Sequence, residues 1–340
     1  MAGWEPDSGA DSGAGADSGA HSGSAPGAGR AGSSGSGPAG PEAAPIIVVG
    51  DLMVDVLAQL GGPLVAASDS PGRISMRGGG SAANTACWLA ATGSEALFVG
   101  CVGDDLPGRE AAEALRATGV RTALKVDPSR PTGTVVVLVD PAGERTMVPD
   151  SGANCALTPR DLPRAEFQPG RHLHLSGYTV LNPDTRAAGI AALDLARRHG
   201  MTTSVDVASA GPLAAVGPDC FLDWIGNPFM LIANRDEAAV LTGIDDDPVA
   251  ATRALTELCD QVVVKLGADG VVRHDALFDR TIRVPAEPLA AGELVDTTGA
   301  GDAFAAGYLA AWMRDADPED ALAAGCRLAA RVIRKVGGRP

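Results

Sequence analysis

Rings are scarce in this chain: Trp, Tyr and Phe together make up 4% of its 340 residues. Few are available to stack on bases, and 42 acidic against 27 basic residues, a net charge of −15, would repel a phosphate backbone, so nucleic acid is not an expected partner. No stretch reaches the eighteen or so uninterrupted apolar residues of a membrane span, and the N-terminus lacks the basic-then-apolar order of a secretory signal. A cytoplasmic protein with no membrane partner is the expectation. The six cysteines never form the C-x-x-C spacing of a zinc or redox site and read as buried thiols. A Walker A loop is missing, because Lys125, Lys265 and Lys335, the only lysines, follow Leu124, Val264 and Arg334 rather than glycine. So is the dinucleotide fingerprint: the first strand-like run leads into Gly50-Asp-Leu-Met-Val-Asp55, not G-x-G-x-x-G.

What is present is a 45% apolar chain, enough for a large core. Residues 1–44 stand apart, being almost entirely Gly, Ala, Ser, Asp and Pro without one Ile, Leu, Val or Phe, so disorder is expected there. A solubilising extension, a docking segment and a mis-assigned start codon all fit such a tail. From Ile46 onward, strand-like runs near 46–50, 97–100, 203–206, 229–233 and 261–265 alternate with alanine-rich helical stretches near 82–92, 108–118, 185–199 and 248–259. That alternation predicts a mainly parallel sheet with helices on both faces. Runs at 73–76, and at 134–140 and 144–148 around Pro141-Ala-Gly143, break the pattern and read as an antiparallel excursion able to cover the sheet's carboxyl edge. His172 and His174 alternate as on one strand face, which fits packing better than metal binding.

The most informative segment is Val295-Asp-Thr-Thr-Gly-Ala-Gly-Asp-Ala-Phe304. Gly299, Ala300 and Gly301 allow close backbone approach, and Phe304, Gly307, Tyr308 and Ala311 have the spacing of an amphipathic helix. Free amides at its N-terminus would make an anion hole for a phosphoryl group. Asp302 in the first turn is placed either to accept a proton from an attacking hydroxyl or merely to complement the helix terminus.

Asp296-Thr-Thr-Gly-Ala-Gly-Asp302 resembles the C-terminal signature of the ribokinase (PfkB) family of carbohydrate and nucleoside kinases, and Arg77-Gly-Gly-Gly-Ser-Ala-Ala-Asn84 resembles its N-terminal one. Pro131-Thr-Gly133, Gly152-Ala-Asn154, Asn234-Arg-Asp-Glu237 and Lys265-Leu-Gly-Ala-Asp-Gly270 extend the likeness over nearly all of 45–340. The resemblance implies an α/β fold, a three-layer α/β/α domain with a small β-sheet lid built from segments near 54–78 and 120–150. It implies ATP and Mg²⁺ as cofactors, Asp302 as catalytic base and the 299–301 backbone as anion hole. Asn234 and Glu237 would organise Mg²⁺ and phosphate, Glu237 through water; an exposed helical acid is the plainer reading of Glu237. Lys265, Gly267 and Gly270 would bind nucleotide, the two glycines fitting a turn equally well. Gly325 would lie near the adenine or mark a close helix contact. Asp296 and Thr298 would hold a monovalent cation such as K⁺, with further ligands around residues 334–338. Asp55, Gly79, Gly80 and Asn84 would bind the hydroxyls of a small sugar or nucleoside. Pairing of two copies through the lid is also implied.

Departures bear on the substrate. Ribokinases have asparagine, lysine and glutamate where this chain has Met53, Ser81 and the run His174-Leu-Ser176. An apolar Met53 suits a larger, flatter substrate, and Gly143-Glu-Arg-Thr-Met147 resembles the lid of adenosine-kinase-like members, whereas the Pro131–Gly133 and Gly152–Asn154 segments are ribokinase-like. The expected activity is phosphorylation of a hydroxymethyl group on a sugar or sugar-containing molecule; the alternatives are a nucleoside kinase and a non-catalytic sugar or nucleoside sensor. Arg73, Arg77, Arg130 and Arg145 are candidates for a phosphosugar's phosphate, or solvated lid residues.

Overall fold

A computed structural model describes residues 45–141, 144–290 and 292–340. The tail expected to be disordered lies outside the described residues, as do Ala142 and Gly143 of the anticipated hairpin turn.

The chain enters at β1 (Ile46–Val49), four apolar residues that alternate between two cores: Ile47 and Val49 face one, Ile46 and Val48 the other. A strand buried on both faces must be apolar at every position. β2 (Met53–Leu60) and β3 (Gly72–Gly79) leave the main layer as an antiparallel pair, and α1 (Ser81–Ala91) leads back to β4 (Ala96–Gly103), α2 (Leu106–Ala117) and β5 (Arg121–Asp127). β6 (Thr134–Val139) and β7 (Arg145–Asp150) then pair with each other antiparallel, β6 running parallel to β2. The second half runs β8 (His172–Ser176), α3 (Tyr178–Leu181), α4 (Arg186–Arg198), β9 (Thr202–Asp206), α5 (Ala210–Val216), α6 (Pro218–Ile225), β10 (Met230–Asn234), α7 (Arg235–Thr242), α8 (Pro248–Leu255) and β11 (Gln261–Lys265). It closes with β12 (Val271–Asp275), β13 (Arg280–Val284), α9 (Ala300–Trp312) and α10 (Pro318–Val332).

The large sheet has nine strands in the order β13-β12-β11-β10-β9-β8-β1-β4-β5, parallel from β11 to β5 with an antiparallel edge pair. α1, α2, α9 and α10 pack on one face, and α4 to α8 on the other, giving the three-layer α/β/α architecture. The small sheet is β3-β2-β6-β7. Among the described residues no helix is long and apolar enough to cross a membrane.

Three expectations change. The lid segment was expected from residue 120, but Arg121–Asp127 pairs in parallel with β4 as the edge of the large sheet, so the second contribution to the small sheet begins at Thr134. α9 is not amphipathic: Ala303 through Ala310 are all buried, because the helix is sandwiched between α1 and α10 as well as covering the sheet. The cysteines are not uniformly buried, since Cys220 is exposed and Cys155 half-buried. His172 and His174 do share one face of β8; each ring bonds the Ser204 hydroxyl of β9, and burial lowers their pKa values to about 3 and about 4, so both are neutral packing groups.

Candidate active site

Strand order sets the location. From β1 the chain passes to β4 on one side while β8 lies on the other, and ligands in open α/β sheets bind beyond the carboxyl ends at such a switch point. A cleft of about 920 Å³ opens there, walled by Asp51 after β1, Asp206 at the end of β9, Lys265 at the end of β11, and Val135, Val137 and Met147 from the small sheet.

Asp302 occupies the third position of α9, after Gly299 with φ +76°, a left-handed conformation that glycine adopts without penalty. Its carboxylate is half-buried and lines the cleft, accepting a hydrogen bond from the Ser81 hydroxyl at 2.8 Å and from Asn84 Nδ2 at 3.0 Å. Ser81 and Asn84 belong to the start of α1, whose first amides are held by Asp51: Ser81 N–H donates at 3.0 Å and Ala82 N–H at 3.4 Å. Two helix N-termini therefore converge on Asp302. Burial raises its pKa to about 7; the bonds from Asn84 and Ser81 oppose this, and the charges of Asp206 and Asp51 reinforce it. A carboxylate near neutrality is suited to take a proton from an alcohol.

Behind the Gly299–Gly301 loop, Lys265 Nζ lies 2.8 Å from Asp206 Oδ2, and a Cβ on Gly301 would sit 3.2 Å from that ammonium. Burial alone would lower the Lys265 pKa, but Asp206 and Glu237 outweigh it and keep the group charged. Glu237 is not an exposed acid: it is 2% exposed. With Asn234 it forms a capping box at the start of α7, its Oε2 accepting from Asn234 N at 2.8 Å and its Oε1 from Asn234 Nδ2 at 2.7 Å. Burial raises its pKa, Lys265 opposing and Asp206 adding to the effect. Gly267 is on the cleft wall. Gly270 is not; it turns the chain into β12 against the backbone of Val284. Gly325 is likewise not part of the cleft wall; a Cβ there would come 2.7 Å from the Phe304 ring, so its smallness serves the α9–α10 crossing.

At the other end, Asp55 of β2 faces Gly79 of β3, whose hypothetical Cβ would fall 2.1 Å from Asp55 Oδ1. Burial raises the Asp55 pKa to about 6, the Arg339 guanidinium pulling it down and Asp51 and Asp296 pushing it up. Gly80 lines the cleft and Gly79 O accepts from Arg339 Nη2 at 2.8 Å. Asn84 is fuller than expected, because beyond Asp302 its Oδ1 accepts from Arg339 Nε at 3.3 Å. Of the arginines considered for a phosphate, Arg77 bonds Val336 O, Arg130 pairs with Asp127, and Arg145 reaches Asp296; Arg73 stays exposed on β3. Asp51, Ser81, Asp206 and Arg339 were missed as site residues. The first and third carried a signal, being acids at the carboxyl ends of parallel strands; Arg339 carried none.

The profile of the pfkB family carbohydrate kinases matches residues 43–340. This chain belongs to the pfkB family. Being a pfkB-family protein, it is a kinase with the ribokinase-like fold. It is 34% identical over 247 residues to the ATP-dependent ribose-1-phosphate kinase of Halopiger xanaduensis, covering 72% of this chain and 76% of that one. It is 34% identical over 274 residues to a fructokinase of Klebsiella pneumoniae, covering 78% and 83%. Among solved structures, the adenosine kinase of Sinorhizobium meliloti superposes with a TM-score of 0.75 at 26% identity, covering 88% of this chain and 96% of that one.

Proposed function

We propose that the protein transfers the γ-phosphoryl group of ATP to a hydroxymethyl group of a small sugar or sugar-containing substrate. The observation that carries this is the placement of Asp302, lining the cleft at the N-terminus of α9 with a pKa raised to about 7 and its carboxylate held by Ser81 and Asn84. Asp55 accepts hydrogen bonds from acceptor hydroxyls and so aims the reacting oxygen at Asp302. Asp302 takes that oxygen's proton as its bond to phosphorus forms and the bond to the leaving diphosphate breaks. The amides of Gly299 and Gly301, that of Ala300 once it turns from the Thr297 carbonyl it now bonds, and the Lys265 ammonium hold the charge on the phosphoryl oxygens. Among the described residues no three carboxylates group to bind a metal directly, so Mg²⁺ would be held by the phosphates, with Glu237 reaching it through water beside Lys265. Bound together, ATP and Mg²⁺ would supply the phosphoryl group and neutralise its charge.

A nucleoside acceptor is the second reading, favoured by the apolar wall of Met53, Val135, Val137, Met147 and Leu181, which could cover a base. The named relatives act on ribose 1-phosphate, fructose and adenosine. The test is ATP-to-ADP turnover by the purified protein with Mg²⁺ and a panel of pentoses, hexoses, phosphosugars and nucleosides. Acceptor-dependent turnover with a sugar supports the first reading, and turnover restricted to nucleosides replaces it with the second. ADP release independent of every acceptor overturns both.

A further inference from the structure

Asp296 lies just behind the anion-hole loop and is 4% exposed. Its Oδ1 accepts from the Thr298 amide at 2.7 Å and pairs with Arg145 Nη1 at 2.5 Å, while its Oδ2 accepts from the Gly337 amide at 2.9 Å. Arg145 is the first residue of β7 in the small sheet, and the same Nη1 touches the Thr298 hydroxyl. Burial alone would raise the Asp296 pKa, but the bonds from Arg145, Gly337 and Thr298 outweigh it and hold the group below its ordinary value.

These residues do not fit the monovalent cation that the family resemblance implies. A potassium ion would have to take the place at the Asp296 carboxylate that the Arg145 guanidinium already holds. Here both carboxylate oxygens are already engaged, and one of the donors is an amide from the very segment that was expected to supply ligands. A second positive charge would also sit against a guanidinium, which does not lose its proton.

We propose that Arg145 is the built-in cation of the anion-hole loop: it holds Asp296 and Thr298 in place of a monovalent ion and makes phosphoryl transfer independent of potassium. The guanidinium acts as a positioning group. It braces the loop that lines the cleft, and it ties that loop to the small sheet. The proposal rests on the kinase reading, but it concerns the ion at the loop and not the identity of the acceptor.

The test compares wild-type protein, Arg145→Ala and Arg145→Lys in potassium chloride and in choline chloride. It has three readouts: turnover with an accepted substrate, ATP affinity by calorimetry, and anomalous diffraction from rubidium-soaked crystals. Wild type should be indifferent to the salt and show no rubidium beside Asp296. Arg145→Ala should lose about tenfold in kcat in choline, less than the roughly 10²–10³ of a direct oxyanion donor because Arg145 acts through the loop, regain most of it with potassium or guanidinium ion, and bind rubidium beside Asp296. Arg145→Lys should remain salt-indifferent, which separates a charge role from a packing role. Several-fold activation of the wild type by potassium, rubidium bound beside Asp296 in the wild type, or an Arg145→Ala protein indifferent to cations would each overturn the proposal. Absence of turnover with every acceptor would strike the proposed function instead, and the rubidium diffraction would still decide the ion.

Discussion

At one end of the cleft, Gly299, Ala300, Gly301 and Asp302 are consecutive, and Asp206 and Lys265 end strands on either side of β10. Every one of these residues hangs from the large sheet or from a helix buried against it. At the other end, Asp55, Gly79 and Arg339 come from two strands of the small sheet and the last few residues of the chain. The sheets differ in the same sense. β1, β4 and β8 are buried at every position, whereas Ile74, Met76, Met147 and Val148 of the small sheet are more than half exposed. A frame packed on both faces holds catalytic groups to a fixed geometry, and a half-covered sheet leaves the acceptor wall free to differ. The proposed function accordingly puts the chemistry at the first end and substrate choice at the other.

The sharpest way to break this division is Asp302→Asn. If the phosphoryl end serves all substrates alike, kcat should fall by about 10²–10⁴ for every accepted substrate, with ATP affinity within a few-fold of wild type. A loss confined to one substrate would move Asp302 to the acceptor side. The same variant has a stability signature. Native Asp302 keeps its proton up to about pH 7, while the unfolded chain releases it near 3.8, so the wild type loses stability as pH rises between these values and has lost the whole contribution above pH 7. Asparagine carries no such cost. The variant's melting temperature should therefore exceed wild type at pH 8 and converge with it near pH 4, the full difference being at most on the order of 4 kcal/mol. Equal melting temperatures at pH 8 would deny the half-buried, raised carboxylate.

Asp55→Ala should have the next largest effect, a loss of about 10–100-fold in kcat/KM for every acceptor, the size expected when a hydrogen bond to a charged group is removed. Calorimetric affinity for ATP should not change. If ATP affinity fell as far as acceptor affinity, the two ends would not be separable. A smaller, graded effect is that of pH itself: kcat/KM should fall about tenfold per unit below an apparent pKa near 7 as Asp302 protonates. Because this limb belongs to the common end, it should appear at the same pH with each substrate.

The division also explains what could be read from the sequence. The Gly299–Asp302 segment was legible as a helix start because its residues are neighbours, and Asn234 with Glu237 stood out as a three-residue spacing, which the structure shows as a capping box. The Arg339–Gly79 contact spans 260 positions and the Arg145–Thr298 contact 153, and no periodicity reports which distant segments the fold will bring together. Gly325 was ambiguous for a related reason, since a glycine that admits a ligand and one that admits a neighbouring helix look alike until the neighbour is in place. Residues 121–127 were assigned to the lid because a strand's composition does not say which sheet it joins; pairing with β4 decides that.

The smallest expected change tests the acceptor end alone. Met53 is 6% exposed at the start of β2, beside Gly79 in register, with its sulfur 3.1 Å from Asn154 Nδ2. It presents apolar surface to the cleft where an asparagine would present a donor and an acceptor. A substrate with carbon surface over this point gains about 0.8 kcal/mol per buried methylene, roughly a fourfold preference, whereas free ribose leaves the surface uncovered and finds no hydrogen-bond partner there. Met53→Asn should therefore shift the ratio of kcat/KM for ribose to that for the preferred substrate by a few-fold toward ribose, with the pH limb and ATP affinity unmoved because Asp302 and Lys265 are untouched. A wild type that already prefers ribose over the panel would show that the apolar side chain does not set the choice. A Met53→Asn protein slowed equally on all substrates would show that this position belongs to the common machinery, and the line between the two ends would have to be drawn on the other side of β2.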